Sequence, residues 1–567
     1  MRKIKRVIGY TLGIAMVLIA AIFLLNLHLT KRLERYLRKE LIHRTAEATD
    51  GFYRLSFDNL SISFFKGELT LEGIKLCPDS AVFRDWERKD SLPSVYVTAE
   101  VGMVDFKGLN LTWRRSYKQL HFDSFEIRNP DIQVFNPYYS TRAEVKERKE
   151  AETKTLYEVV SPYINVLTVR ILNLENASVS YSVENPVSPI VYALNDVSFH
   201  AYGFRLDENS SESGKLLYCD NFDFITKRSQ TLLANNDFRL QTDRILLSTE
   251  DSIISISNIT LTPQGELWGE QKKRPDSYLN ALIRAIEVKG IQFRRENALN
   301  YLTARSLDII SSDIQAFNLA GESLPSAKKT EKKSLNEAEA DSLVRSLSLY
   351  ELISPVLHTV SIGTVGIGQA KLQYSFAVKD KIEVYKLANF DFQANDFRID
   401  SVSETQRGFW YSRGFSFEAT GIEGLMTARN HRFTVKRMTL DTESGDFNLE
   451  RIRLYPLSVC GQNDYMAGSI DTVGIRGLLY DKGISARLLK IDRPNLRYVL
   501  VSSFNKKDVK SVKPANSRVD VESILNPFLR YFSVKRLSLN HAYVTIDDKS
   551  MSDPVTYKLN DFNFFAT

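Results

Sequence analysis

A ten-residue pattern that returns three times along the chain constrains the fold more than any other feature. It reads LTLEGIKLCP at 69–78, ISISNITLTP at 254–263 and FNLERIRLYP at 447–456. In each copy, apolar residues hold positions one, three, six and eight, and proline holds position ten. Apolar residues at alternate positions are typical of a β-strand with one buried face. The pattern therefore predicts a sheet that is built from one repeated unit.

The two apolar pairs within this pattern are out of phase by one residue. Leu69 and Leu71 alternate, and Ile74 and Leu76 then alternate one position late. Because side chains of a strand point to opposite faces in turn, this slip needs a bulge or a bend. The same slip in all three copies predicts a bend at the same place in each repeat, which would curl a long sheet.

Two further patterns recur in the same order. FEIRNPDIQV at 125–134 returns as LDIISSDIQA at 307–316 and as LKIDRPNLRY at 489–498. Segments that begin YEVVSPY, YELISPV and SILNPFL each lead into a hairpin and then a strand. The chain of 567 residues therefore holds nearly three copies of a unit of roughly 180 to 190 residues. The third copy stops at Thr567, before the sequence that follows the matching strand in the first two copies, which indicates either a trimmed last unit or a fragment of a longer chain.

The amino-terminal end predicts a membrane anchor. Residues 7–27 form an uncharged run, VIGYTLGIAMVLIAAIFLLNL, behind a short basic segment at 1–6. About twenty apolar residues in a helix span the ~30 Å hydrocarbon layer. The run is long for a secretory signal and lacks a small-residue cleavage site, so we interpret it as an uncleaved signal anchor. The basic segment favours an amino terminus in the cytoplasm and a body outside.

The remaining boundaries follow from the repeats. Residues 28–50 contain an amphipathic helical pattern, interpreted as a stalk, a cap on the sheet or a helix on the membrane surface. We predict repeat one at 51–235, repeat two at 236–430 and an incomplete repeat three at 431–567. Charged segments at 142–155, 326–342 and 505–514 are interpreted as solvated helices or loops, with a partner-docking arm as the alternative.

A sheet with one apolar face must cover that face. The chain has few long apolar helices that could do so. Two solutions remain: tandem β-sandwiches, in which sheets cover each other, and a curled trough whose apolar lining meets lipid acyl chains.

The order of these features resembles the AsmA-like family of bacterial envelope proteins, relatives of TamB. The resemblance lies in the amino-terminal anchor, in the strand pair YRLSFDNLSISFFKGELTLEGIKLCP at 53–78, and in the strands IRNPDIQVF and IDRPNLRYV. It covers nearly the whole chain, and its motifs are loose. The weak middle copy and the charged inserts depart from the pattern.

This resemblance implies a mainly β fold, with an inner-membrane transmembrane helix followed by an elongated, curled antiparallel sheet that forms a groove. It implies a periplasmic body that binds phospholipids and carries them toward the outer membrane, with an outer-membrane or periplasmic protein as a further partner. The alternative is a scaffold that assists outer-membrane protein assembly through its sheet edges. The lipid-binding lining that it implies is Leu69, Leu71, Ile74, Leu76, Ile127, Ile132, Val134, Ile254, Ile256, Ile259, Leu261, Phe447, Leu449, Ile452 and Leu454.

Nothing in the sequence indicates an enzyme or a cofactor. The three cysteines show no CxxC spacing, the seven histidines form no ligand pair, and we predict no metal site. Motifs of the HExxH, GxSxG and P-loop types are absent, and GIGQA at 366–370 is interpreted as strand-turn variation. The net charge of +6 is small for this length and does not favour nucleic acid.

Overall fold

The computed structural model describes the β-rich body and the helix before it. The described residues are 31, 33–47, 49–63, 66–89, 92–93, 95–114, 117–136, 157, 161, 164–183, 190–210, 215–233, 238–263, 277–296, 299–318, 357–378, 381–402, 411–458, 464–480, 484–501, 532–550 and 553–567. The predicted anchor at 7–27 lies outside them. Within these ranges, no helix combines the length and the apolar character needed to cross a membrane.

The chain forms two compact units, one of Met1–Ser257 with Phe293–Arg295 and one of Asn258–Gln292 with Glu296–Thr567. The predicted boundaries at 235/236 and 430/431 stay a prediction. The helices are α1 (residues 33–47) and α2 (Ser80–Arg88).

The strands are β1 (Tyr53–Ser56), β2 (Asn59–Ser63), β3 (Glu68–Pro78), β4 (Tyr96–Lys107), β5 (Asn110–Arg114), β6 (Tyr117–Asn136), β7 (Val166–Val183), β8 (Ile190–Leu206), β9 (Asn221–Thr226), β10 (Arg228–Leu233), β11 (Phe238–Thr242), β12 (Arg244–Ser248), β13 (Ile253–Pro263), β14 (Ser277–Lys289), β15 (Gln292–Glu296), β16 (Leu299–Asn318), β17 (Thr359–Val378), β18 (Lys381–Ile399), β19 (Gly414–Met426), β20 (His431–Asp441), β21 (Asp446–Pro456), β22 (Tyr465–Arg476), β23 (Leu479–Tyr480), β24 (Ile484–Ala486), β25 (Leu488–Asp492), β26 (Asn495–Leu500), β27 (Phe532–Val534), β28 (Leu537–Asp548) and β29 (Val555–Ala566).

In the first unit, each strand pairs with its neighbours in an open ladder. Strand β3 takes β1 and β2 on one side and β4 on the other, and the ladder continues through β6, β7 and β8. Strand β8 pairs with β9 and β10, and β9 continues through β12 to β13. The mainly β fold that the sequence predicts is confirmed.

The second unit repeats this arrangement. The ladder runs β14, β16, β17, β18, β19, β20, β21 and β22. Strand β22 pairs with β25 and β26, both of which pair with β28, and β28 pairs with β29. A small separate sheet contains β23, β24 and β27.

The prediction of a purely antiparallel sheet is wrong, because three junctions are parallel: β6–β7, β16–β17, and β25 and β26 with β28. Parallel neighbours need a crossover of a dozen or more residues, whereas antiparallel ones can share a tight turn. The charged segments at 142–155, 326–342 and 505–514 fall in these three crossovers. Alternation of side chains is the same in parallel and antiparallel strands, so the strand patterns alone did not distinguish them.

Helix α1 covers an edge of the first unit. The Arg38 guanidinium donates hydrogen bonds to the carbonyl oxygens of Phe57 and Asp58, at 3.0 and 3.1 Å. The Glu34 carboxylate accepts from the backbone N–H of Ile62 at 3.2 Å. These side chains satisfy backbone groups beside β2 that an edge strand otherwise leaves open. The helix therefore acts as a cap, which is one of the roles that the sequence allowed.

Helix α2 closes the end of the β3–β4 hairpin. Its N-cap, Asp79, accepts hydrogen bonds from the backbone N–H groups of Ala81 and Val82, and these bonds lower the pKa of the carboxyl group. The Trp86 ring stacks on Phe52 with centroids 4.9 Å apart, and Phe52 is only 2% exposed. The helix thus buries an aromatic side chain at the first strands of this unit.

Candidate functional site: an apolar sheet face

The predicted phase slip is confirmed as a backbone kink. Each ten-residue pattern lies in a single eleven-residue strand that ends at its proline: β3, β13 and β21. The fifth residue of each pattern has left-handed φ, +61° at Gly73, +50° at Asn258 and +52° at Arg451. One residue in this conformation shifts the alternation by one, so the apolar residues before and after it keep to the same side.

The kinks lie opposite one another across neighbouring strands. In the first unit, the pairings on either side of the kink place Gly73 opposite Gly102, Gly102 opposite Asn129, and Asn129 opposite Asn176. In the second unit, Ser311 and Gln369 take the corresponding places in β16 and β17, with φ of 51° and 55°. GIGQA lies inside the continuous strand β17 and not at a turn. Left-handed φ occurs at Gly73, Asn129 and Asn176 in the first unit and at Ser311 and Gln369 in the second. Kinks that lie opposite one another let these strands shift phase together, which preserves the apolar face across them.

Small side chains follow the kinks at the hairpins. Ala177, Ala370 and Ala542 come directly after the kink in β7, β17 and β28 and are 0%, 1% and 0% exposed. Each sits where the register with the next strand shifts, opposite Val197, Phe390 and Phe562 respectively. A larger side chain has no room there, which explains why alanine recurs.

Continuous apolar rows cross the strands of the first unit. The row that contains Leu71 pairs strand by strand and has no polar member: Leu71, Val104, Ile127, Leu174, Phe199, Phe224, Leu247 and Ile254. Beyond the kink, a second row contains Leu55, Leu76, Ala99, Ile132, Val179 and Leu194. Cross-strand partners of this kind share a face, so both rows form one surface.

The second unit carries an equivalent row. It runs through Ile286, Ile309, Ile367, Phe392, Phe417, Leu440, Phe447, Ile475, Leu489 and Leu537. A neighbouring row contains Ala419, Met438, Leu449, Val473, Ile491, Leu539 and Phe564. Each unit thus presents an apolar surface that is several strands wide.

These rows are half-buried. Every member of the Leu71 row and of the Phe447 row has intermediate exposure. The inner faces of a β-sandwich interdigitate, and their aliphatic and aromatic side chains are then largely buried. Among the described residues, the rows are therefore not the interior of a sandwich, and the tandem-sandwich alternative does not describe these units.

Every predicted lining residue lies in a strand. Leu69, Leu71, Ile74, Leu76, Ile127, Ile132 and Val134 pair with apolar partners on one face of the first unit, as do Ile254 and Ile256. Phe447, Leu449, Ile452 and Leu454 do so in the second. Ile259 and Leu261 follow the kink of β13, where Ile259 is 8% exposed. Their contact with lipid stays a prediction.

The sequence analysis missed the aromatic members of the face. Phe199, Phe224, Phe392 and Phe417 occupy the middle of the rows. Each lies in a strand in which aromatic residues alternate with polar ones, as in NFDFIT at 221–226 and GFSFEAT at 414–420. That alternation was the signal that could have found them.

The opposite face carries many polar and charged side chains. Ion pairs between alternate residues of one strand recur on it, including Arg128–Glu126 at 2.6 Å and Lys289–Glu287 at 2.7 Å. These carboxylates raise the pKa values of the Arg128 and Lys289 side chains through hydrogen bonds. The two faces therefore differ in chemistry along the whole ladder of each unit.

A cavity of about 940 Å³ lies in the second unit. Its lining includes residues of the polar face, among them Asp308, Asp391, Glu418 and Asp441. It also includes five members of the Phe447 row: Ile309, Ile367, Phe392, Phe417 and Leu440. The lining of this cavity is therefore mixed, with carboxylates beside apolar side chains. In the described ranges, no group of three or more histidine, cysteine, aspartate or glutamate side chains could hold a metal ion.

The fold and the site define a class: a protein whose units each expose one apolar and one polar side of a kinked β-ladder. Comparison with known sequences adds no family, because no protein-family model matches the chain and the search of curated proteins found no match. The resemblance to the AsmA-like family stays a prediction.

Proposed function

We propose that this protein is a membrane-anchored lipid carrier whose apolar sheet face binds phospholipid acyl chains. The observation that carries the proposal is the half-buried Leu71 row, which crosses the strands of the first unit without a polar member. Exposed apolar surface of this extent invites aggregation unless a ligand or partner covers it. Each acyl methylene that leaves water on binding contributes about 0.8 kcal/mol.

The repetition of the rows favours movement along the face over storage at one site. Successive strands offer near-equivalent apolar contacts. A tail that slides from one strand to the next therefore loses one set of apolar contacts and gains a similar set. The barrier between positions is then small, while tails stay dry and head groups stay wet. The face supplies a path, and a lipid gradient or a partner protein supplies direction.

The predicted anchor sets the proposed location. With residues 7–27 in the inner membrane of a bacterium and the amino terminus in the cytoplasm, the sheet would begin just outside that membrane. The proposed task is phospholipid transport toward the outer membrane during envelope biogenesis, with an outer-membrane or periplasmic protein as the receiving partner.

The test is the lipid content of the protein as it exists in the membrane. The full chain is extracted with its surrounding lipid in polymer discs, exchanged into detergent, and analysed by lipid mass spectrometry beside an unrelated single-span protein. Phospholipid retained well above that reference supports the proposal. Retention equal to the reference refutes it.

The alternative function, a scaffold for outer-membrane protein assembly, uses strand edges instead of the apolar face. Helix α1 covers the edge at β2, which blocks strand addition there. Under this alternative, client strands and not phospholipids would be recovered with the purified chain.

A further inference from the structure

Tyrosines recur at one margin of the apolar face. Five residues after the kink, β7 carries Tyr181 and β17 carries Tyr374. Each pairs across the hairpin with a second tyrosine, Tyr192 and Tyr385 respectively. The third copy repeats the arrangement with Tyr498 in β26, next to Ile546 and then Tyr557. We call these residues the tyrosine row.

Three members of the tyrosine row are exposed to solvent. Tyr192 and Tyr374 are each 43% exposed, and Tyr557 is 61% exposed. Two hydroxyl groups already make polar contacts at this margin, because Tyr181 accepts from the Asn136 amide at 3.1 Å and Tyr385 donates to Glu383 at 3.3 Å. The margin thus combines ring surface that continues the apolar face with groups that hydrogen-bond.

At the opposite margin of the face, the apolar side chains are buried. On β7 and β8, Val169 and Leu206 are 5% and 1% exposed, and on β17 and β18, Ile362 and Ile399 are each 6% exposed. Described residues of the connections that follow β8 and β18 contact this margin.

The contact is alike in both copies. In the first, the Tyr218 ring meets Phe204 edge-on with centroids 6.3 Å apart, and in the second Tyr411 meets Phe397 at the same separation. Among the described residues of these two hairpins, the margin at the tyrosine row is therefore the more exposed of the two.

Tyrosine is suited to such a boundary. Its ring is apolar and its hydroxyl needs a polar partner, which is why tyrosine collects where hydrocarbon meets water in membranes. A phospholipid has the same division between its tails and its glycerophosphate group.

We infer that the tyrosine row positions the glycerophosphate groups of phospholipids, with the acyl chains lying from this row toward the kinks. This inference rests on the proposed function and adds to it an orientation for the bound lipid. Phenol hydroxyls at the row hydrogen-bond phosphate or ester oxygens, and the rings cover the first methylenes.

The dimensions agree with this orientation. Five residues of strand between the tyrosine row and the kink measure about 16 Å at ~3.3 Å per residue. One leaflet of a bilayer is half of the ~30 Å hydrocarbon layer, or about 15 Å. The length of strand between the tyrosine row and the kink therefore matches the thickness of one hydrocarbon leaflet, which is the depth that an acyl tail occupies in a bilayer.

Site-specific photocrosslinking tests the orientation. Benzoylphenylalanine is placed singly at position 192 or 374 in the tyrosine row, and at position 199 or 392 in the middle of the face. The full chain is incubated with vesicles of phosphatidylethanolamine and phosphatidylglycerol, irradiated, and the crosslinked lipid is fragmented by mass spectrometry. We expect attachment near the glycerol backbone at 192 and 374, and along the acyl chains at 199 and 392.

Position 202 provides a matched control. Tyr202 lies in β8 with Tyr192, is 45% exposed, and pairs on the polar face with Ile171 and Asn221. The same crosslinker there should capture little or no lipid. Acyl-chain attachment at 192 and 374 with glycerol attachment at 199 and 392 would overturn the orientation while leaving lipid binding intact. Absence of lipid at all four face positions would instead overturn the proposed function.

Removal of the hydroxyl groups tests their role separately. Tyr192→Phe with Tyr374→Phe should weaken phospholipid binding by about 2- to 10-fold for each hydroxyl bond lost. Binding of a plain alkane probe should be unchanged, and Tyr202→Phe should change neither. Equal affinity of the double variant and the wild type for phospholipid vesicles would show that the hydroxyls do not position the head group.

Discussion

The side-chain amide of Asn176 donates a hydrogen bond to the side-chain oxygen of Asn129, 3.4 Å away, across the parallel pair β6–β7. Both residues have left-handed φ, 54° and 50°. Asparagine adopts this conformation at low cost because its short polar side chain can hydrogen-bond locally. The bond therefore joins two kinks that lie side by side, and keeps the phase of the two strands matched.

The kink predicts a dependence on residue type at position 176. Asn176→Val should lower the free energy of unfolding by about 1 to 2 kcal/mol, because a β-branched residue is strained at positive φ. Asn176→Gly removes the weak side-chain bond but not the allowed conformation, so it should cost much less. Thermal unfolding of the two variants, followed by circular dichroism, measures the difference. Equal losses would mean that the conformation at 176 is not what the fold requires.

The sequence predicted the kinks of β3, β13 and β21, but not the one at Asn176, because the slip of phase in those three strands is a local pattern. Gly73, Asn258 and Arg451 hold the position that the alternation of neighbouring apolar residues singled out. Arg451 shows the limit of residue type as a guide, since arginine has no special preference for positive φ. The apolar pattern on both sides located the kink where the residue itself did not.

The same alternation pattern could not predict whether neighbouring strands run parallel or antiparallel. Leu172 in β7 faces Phe125 through a parallel pairing and Ala201 through an antiparallel one, yet its alternation is identical for both. Direction is set by the connection, and the crossover at 137–165 has no strand pattern of its own. The tyrosine row was missed for a related reason, because its members come together only when separate strands pair.

The buried alanines predict a sharp response to added volume. Ala370 is 1% exposed and lies against the register shift between β17 and β18. Ala370→Leu should destabilise the second unit by about 1 to 3 kcal/mol through overpacking. Ala388→Leu in β18 is the control, since Ala388 is exposed and should tolerate the change within about 0.5 kcal/mol. Similar melting temperatures for both variants would contradict tight packing behind the kink.

The two described cysteines should differ in reactivity. Cys77 is exposed, whereas Cys219 is 4% exposed and its burial raises the thiol pKa to about 11 from the ordinary 9.0. In a Cys460→Ser background, a maleimide at neutral pH should label Cys77 rapidly and Cys219 only after unfolding. Mass spectrometry of the tryptic peptides measures the extent of labelling at each of the two cysteines. Rapid labelling at 219 in the folded chain would show that the connection after β8 opens readily.

The same pKa shift predicts a loss of stability in alkali. Between about pH 9 and pH 11, the unfolded chain releases the Cys219 proton while the folded chain retains it. The unfolded state then binds fewer protons, so stability falls as pH rises through this window. Cys219→Ala removes the titrating group, and its stability should fall less steeply with pH over the same range, measured by denaturant midpoints in each buffer.

A charge on the apolar face should stop lipid movement without unfolding the protein. Leu449 lies in an apolar row of β21, and the adjacent Asn448 points to the polar face and is exposed. An aspartate in a hydrocarbon environment costs several kcal/mol, so Leu449→Asp should reduce phospholipid transfer at least ~10-fold. Asn448→Asp adds the same charge one residue away and should transfer at the wild-type rate.

The assay reconstitutes the full chain in donor vesicles and follows a fluorescent phospholipid into acceptors. Circular dichroism checks that both variants fold alike. If both variants transfer lipid equally well while folded, the apolar face is not the path, and the scaffold alternative becomes the better account of this sheet.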